Sequence, residues 1–493
     1  MSSAVARFGP WRIKPSSKLP IFLRFTINSS FAPEIAKRSK FKHFLLNRVY
    51  LNHMMYWPAK EYDPFEKEIV GHLRRNDGWL ESFCRRELRK SERLYALGHT
   101  LRKIDWSAKT NAYMKKTLDT LLGIYRDLMC PWYAQYATDL FFEDAIEEHL
   151  ARHIPADHPD FRKIVLIFTD PKEMTDVAEE KWELMKLARV LQKRRARLHS
   201  LSPADRGLIV KHVTRYGYIN RGLATSQPYT YADIVQRIKE AWRTEKGVDQ
   251  LVHDSSPSKL RAEYAWAMRK ARPDAAFKKL IHQARLHSYM RNRRVEAFFL
   301  GDYGASFMYH EIARRAHFPA KEIMDVSVPE MYGALEGKSL PTKKDMKQRH
   351  HNYAMVVTNA ATKLIVDPKQ IEALKKKYFV KVDSVRQIQG RMACLGGIIR
   401  GRAKVCLDKK EIGKVKKGDI LVAQFTTPDY VPAMERAAAI VADQGGLSSH
   451  AAIVSRELGV PCVIATENGT RIIKDNDRLE VNAKTGLVKI LSR

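Results

Sequence analysis

Residues 444–461 read QGGLSSHAAIVSRELGVP. One imidazole, His450, follows Gly445, Gly446, Ser448 and Ser449, and the alanines, Ile453, Val454 and Leu458 beyond it form the apolar face of a helix starting near Ser448 or Ser449. A helix start has unpaired amides and about half a positive charge, so it stabilises a phosphate held there. The two glycines let the backbone come close and the two serine hydroxyls add donors. In that setting a ring nitrogen can attack phosphorus and carry the phosphoryl group as a phosphoramidate. On the local pattern alone, a histidine in a first turn is more commonly a surface or capping residue.

The elements that position this histidine come in a dense run. DILVAQF (419–425), AAIVA (438–442), CVIA (462–465), RLEVN (478–482) and GLVKIL (486–491) are short β-branched stretches bounded by Gly, Pro, Asp or Asn, and ACLGGIIRGRAKVC (393–406) precedes them. They read as strands. Two helices interrupt them, one after TTPDYVPAMERA (426–437), capped by Thr427 with Pro428 in its first turn, and one beginning at His450.

Residues 390 to 491 resemble the phosphohistidine swivelling domain of the phosphoenolpyruvate-utilising enzymes, as in phosphoenolpyruvate synthase, pyruvate phosphate dikinase and rifampicin phosphotransferase. The resemblance runs through GGIIRGRAKV (396–405), the stretch 418–466 with its SHAAI string, and the terminal GLVKIL. It implies that His450 is the residue phosphorylated and that the domain swings between a donor and an acceptor site, and the helix-start chemistry assigns Ser448, Ser449, Gly445 and Gly446 to the phosphate. More weakly, RRAHFPAKEIMDVSVPEMYGALEGKSLPTKKDMKQRHHNY (314–353) and IFTDPKEMTDVAEEKWELMKLA (167–188) resemble the helical part that precedes this domain in the same enzymes. Arg349 and Tyr353 fall where the family has an arginine and a tyrosine, which implies either an acceptor-side role or a buried structural pair.

Upstream, the signals are helical. DPFEKEIVGHLRR (63–75) offers Asp63 as a cap and Pro64 at the first helical position. Apolar periodicity predicts helices over 79–104, 108–129, 174–199, 230–243 and 274–316, the last bent or broken near GDYGAS (301–306). Ser327 with Glu330 and Thr342 with Asp345 read as capping boxes. Residues 1 to about 50 are ambiguous, a basic extension followed by a docking helix being one reading. The expected class is α+β and multidomain: a basic extension (1–55), a helical domain holding an acceptor or partner (56–365), a linker containing a short charged helix (366–380) and the β/β/α swivelling domain (381–493).

The chain has 493 residues and a formal charge of +32, from 87 basic and 55 acidic residues. Such a field favours anionic partners, although solubility explains it as well, and nucleic acid is the less favoured partner. The apolar runs are too short for a membrane span. The start has no secretory signal, so a cytoplasmic location is expected, with an organelle transit peptide left open by its Arg, Lys and Ser residues. The five cysteines show no metal-ligand spacing and read as reduced, buried thiols.

A Walker-type loop is missing, and neither the roughly 300 residues of an ATP-grasp domain nor a phosphoenolpyruvate-binding barrel finds room. The resemblance then implies a phosphotransferase subunit, loaded by a free-standing ATP-grasp protein that brings ATP and Mg²⁺, with no cofactor on this chain and an unknown small-molecule acceptor. The rival is a non-catalytic regulatory protein that keeps the swivelling fold and binds a polyanion through its basic surface.

Overall fold

A computed structural model describes residues 6–8, 11–15, 41–43, 47–51, 54–129, 134–155, 158–221, 228–243, 247–351, 353–358, 362–378, 385–394, 396–407, 409–426, 430–443 and 450–493. One helix, Ala275–Arg315, organises the N-terminal region. Asp274 caps it, accepting from the Phe277 amide at 2.7 Å. One end packs into a core around Phe65, Phe83, Phe142, Phe161 and Phe168, and the other into a core around Leu94, Leu118, Tyr125 and Met331.

The helix is unbroken at GDYGAS, where the glycines serve packing. They face the helix Trp79–Leu101. A Cβ on Gly98 would lie 2.6 Å from the Leu300 carbonyl oxygen, one on Gly301 would lie 2.8 Å from a Leu94 methyl, and one on Gly304 would collide with the Gly98 carbonyl. The two backbones touch where these residues cross. Beside the crossing, Arg293 binds Glu92 (2.6 Å) and Asp176 (3.2 Å), its guanidinium 3.7 Å from the Tyr95 ring centre. Burial, with Asp176 nearby, pushes the Glu296 carboxyl up to about 8.

The helices expected at 108–129, 174–199 and 230–243 are present as Asn111–Met129, Asp176–Lys193 and Tyr231–Arg243. Both capping boxes are also formed. The first helix runs Ala59–Arg75 rather than from Asp63, with Pro64 inside it. Glu61 explains the earlier start, since its carboxylate accepts from the Asn47 amide (2.9 Å) and side chain (2.5 Å) and holds the added turn.

The larger departure is a sheet. Strands β1 (Ala6–Phe8), β2 (Trp11–Pro15), β3 (Arg48–Leu51), β4 (Met54–Pro58), β5 (Ala354–Val357) and β6 (Thr362–Ile365) form an antiparallel sheet in the order β1-β2-β4-β3-β5-β6. Strands thus stand where a docking helix and the tail of a helical run were expected. The short charged helix is Pro368–Tyr378, and it seats Ile371 and Leu374 on this sheet's core.

The C-terminal region holds β7 (Gln387–Gln389), β8 (Arg391–Cys394), β9 (Ile398–Cys406), β10 (Ile420–Ala423), β11 (Ala439–Ala442), β12 (Cys462–Ile464), β13 (Arg478–Asn482) and β14 (Leu487–Ser492), in the order β7-β14-β13-β9-β10-β11-β12-β8. The run 393–406 is two strands, β8 and β9. Strands β9 to β12 are mutually parallel, and β8 and β13 flank them antiparallel. Alternate residues feed two cores: Leu421, Ala423, Ile440 and Ala442 lie under the helices, and Ile420, Val422, Ala439 and Val441 face the other way. Cys84, Cys394, Cys406 and Cys462 are buried free thiols; Cys130 lies outside the described residues.

Each apolar cluster lies wholly within one region. Between the regions, Arg391 on β8 binds Asp144 at 2.9 Å, with Glu147 at 4.0 Å, both on the helix Ala134–Leu150.

Two outcomes follow from this packing. Gly304→Val forces backbones apart at the crossing and should destabilise the N-terminal region by about 3 kcal/mol or more, read as a lower denaturant midpoint for helix loss, whereas Gly397→Ala, in open space, should change it by less than about 0.5 kcal/mol. A fragment of residues 381–493, having its own two cores, should unfold in one cooperative thermal transition; a non-cooperative melt would contradict an independent domain.

Candidate functional site

Strand β11 ends at Ala442, and Asp443 follows. The Asp443 amide donates to the Ala423 carbonyl on β10 (3.0 Å), and the Glu467 amide donates to the Asp443 carbonyl (3.0 Å). Its side chain is buried and bonds to the hydroxyls of Thr466 (2.9 Å) and Thr470 and to the Thr470 amide (3.2 Å). Burial raises its pKa, opposed by the hydrogen bonds from Thr470 and Thr466. Gly469 makes room: a Cβ there would sit 2.8 Å from both the Asp443 carboxylate and the Thr466 hydroxyl. The segment leaving β11 is therefore fixed at its first residue.

Residues 444–449, which include Gly445, Gly446, Ser448 and Ser449, lie outside the described residues. Beyond them, His450 is the first residue of the helix His450–Leu458, as the pattern predicts. Small residues close this helix onto the sheet. Ala451 and Ala452 are buried in the core with Cys462 and Ile464, and the buried Ser455 hydroxyl donates to the Ala452 carbonyl (3.0 Å). Gly459, at φ +67°, lets the chain turn into β12.

In this β11–helix–β12 unit Asp443 and the helix start lie at the carboxyl ends of the parallel strands, the edge where open α/β sheets hold ligands. The register places Arg391 opposite Ile464, at the end of β12. The arginine that binds Asp144 thus lies on the same edge of the sheet as the start of the His450 helix.

Arg349 and Tyr353 are brought into different surroundings. Arg349 is buried and paired with Glu330 (2.5 and 2.8 Å), and donates to the Asp325 carbonyl at 3.3 Å. Glu330 also accepts from the Ser327 amide at 2.7 Å, so the pair braces a capped helix start. The Tyr353 ring packs on Tyr50, their centres 5.6 Å apart. Among the described residues no group of three or more His, Cys, Asp or Glu is placed to hold a metal ion, and no helix is long and apolar enough to cross a membrane. Sequence reasoning missed Asp443, Thr466, Gly469 and Thr470. Asp443, the acid two residues before the paired glycines, was the one visible sign of them.

Comparison with known proteins fits this geometry. Residues 415–486 match the family described as PEP-utilising enzyme, mobile domain. A stretch of 130 residues is 45% identical to a probable phosphoenolpyruvate synthase of Archaeoglobus fulgidus, covering 25% of this chain and 17% of that protein. Another of 128 residues is 48% identical to phosphoenolpyruvate synthase of Pyrococcus furiosus, covering 25% and 16%. A third of 92 residues is 50% identical to a probable phosphoenolpyruvate synthase of Methanothermobacter thermautotrophicus, covering 19% and 14%. The matched stretches thus span less than a fifth of the length of these relatives. The C-terminal region of the chain carries the mobile domain of the phosphoenolpyruvate-utilising enzymes.

Proposed function

We propose that this chain is a phosphotransferase subunit that relays a phosphoryl group through a phosphohistidine at His450. The observation that carries the reading is the match of residues 415–486 to a mobile domain whose helix begins at His450. The chemistry suits the position. A ring nitrogen takes the phosphoryl group at a helix start, where the free amides and the hydroxyls of Ser448 and Ser449 balance the incoming charge and Gly445 and Gly446 allow close approach. Asp443, clamped by Thr466 and Thr470, positions the start of that segment.

Loading is assigned to a separate ATP-grasp protein, which brings ATP and Mg²⁺. The loaded domain then passes the group to a small-molecule acceptor held by the helical region. The contact of Arg391 with Asp144 supports an approach of the two regions along that edge.

The test is to incubate the purified chain with cell extract and ATP carrying ³²P in its β and γ positions, then to measure acid-labile, base-stable label. Wild type should take up label and His450→Ala should take up none while remaining folded. Ser449→Ala removes one donor and a helix cap, a loss of about 1 to 4 kcal/mol, so its labelling should slow by roughly tenfold to several hundredfold. Label on His450→Ala would contradict the carrier assignment. No label on wild type would favour the basic binding protein.

A further inference from the structure

A cleft of about 210 Å³ opens in the helical region between Glu143 on the helix Ala134–Leu150, Thr169 and Asp170 at the end of the helix Phe161–Thr169, and His287, Ser288 and Asn292 on the long helix. It is a polar cleft on rigid supports. The Asp170 segment is tied to the long helix by Arg285, which donates to the carbonyls of Ile167 (2.9 Å) and Pro171 (3.1 Å), and by the Lys172 amide, which donates to the Arg285 carbonyl. His287 is buried and fixed by Thr138, at 2.8 Å from its Nε2. Ser288 is 7% exposed.

The cleft also lies beside the contact between the two regions. On one turn of the helix Ala134–Leu150, Glu143 lines the cleft while Asp144 binds Arg391. Glu147, one turn after Glu143 on the same face, lies 4.0 Å from Arg391. Arg391 in turn lies at the carboxyl edge of the parallel strands, where the His450 helix begins. Arg349 and Tyr353 are not among the cleft's lining residues.

We propose that this cleft is the acceptor site of the relay and takes a small, uncharged, hydroxyl-bearing molecule whose hydroxyl Asp170 deprotonates as it receives the phosphoryl group. The inference rests on His450 being the carrier. In the step, the P–N bond of the phosphohistidine breaks and its electron pair returns to the ring nitrogen. A P–O bond forms to the acceptor, and the hydroxyl proton passes to the Asp170 carboxylate. The Glu143 and Asp170 carboxylates disfavour a carboxylate acceptor, the Arg291 guanidinium in the lining offers a counter-charge to the entering phosphoryl group, and Ser288, Thr169 and Asn292 offer groups that pair with hydroxyls. Asp170 is an exposed residue, yet the protein packed around its carboxyl pushes it up to about 6. Arg285 opposes that rise and Glu263 adds to it.

The experiment uses the full chain, labelled as above, re-isolated, and mixed with the deproteinised small-molecule fraction of the extract. Wild type should lose label from the protein to a small molecule that anion exchange resolves from inorganic phosphate. Treating that product with alkaline phosphatase should regenerate a neutral compound. Asp170→Asn keeps the shape but removes the proton acceptor, so it should load at the wild-type rate and discharge about 100-fold or more slowly. Ser288→Leu fills the cleft and should also load and fail to discharge; should it not fold, Asp170→Asn still decides. If both variants load and discharge as wild type does, the acceptor lies elsewhere and the relay stands. A dephosphorylated product that is an acid would overturn the assigned substrate class. Failure of wild type to load would overturn the relay, and this inference with it.

Discussion

The contact of Gly98 with Gly304 is the constraint on which the N-terminal region depends. Helices usually cross with axes 8–10 Å apart, separated by their side chains. Here two glycines and the neighbouring Gly301 remove that layer, so a helix of 41 residues lies directly against one of 23. The long helix can then serve both apolar cores and carry Arg285, His287, Ser288 and Arg293 at fixed heights along one rod. Gly costs roughly 1 kcal/mol relative to Ala in a helix interior. The packing that the close approach permits must offset that cost three times over.

In the C-terminal region positioning is achieved differently. Its parallel strands hide both faces, so the helix of His450 is placed by small residues, Ala451 and Ala452, pressed on β12, and by a buried carboxylate at the end of β11. Asp443 is costly to bury and is retained with threonine hydroxyls and backbone amides around it. A polar clamp of this kind fixes direction as well as distance, because each bond requires an angle. Asp443 is thus held in one orientation at the end of β11.

Much of the C-terminal architecture was legible. ILVA and AIVA are continuous apolar strands, as a sheet covered on both faces requires, and the step from Ala442 to His450 and on to Cys462 is the spacing of a strand–helix–strand unit. Less was legible upstream. Strand β3 pairs with β5 some 300 residues later, Val49 opposite Val356, and no local pattern reports a partner so distant. In β3, RVYL is buried at every position, so it lacks the alternation that marks a half-exposed strand. The glycines of GDYGAS signalled a special backbone correctly, but one helix read alone does not distinguish a bend from a close neighbour. The Asp443 clamp joins residues more than 20 apart, and the cleft draws on segments near 143, 170 and 288; both arise only in three dimensions.

The boundary between the two regions has a thermodynamic character of its own. Each apolar cluster stays on one side of it, and the described ion pairs that cross it join Arg391 to Asp144 and Glu147. Separating such surfaces uncovers little hydrocarbon, so it carries little of the heat-capacity change that makes apolar association temperature-dependent. What it does uncover is charge, and charge near a surface answers to counterions within about 10 Å at 0.1 M salt. The balance between a joined and a parted arrangement should therefore be nearly flat with temperature and steep with ionic strength.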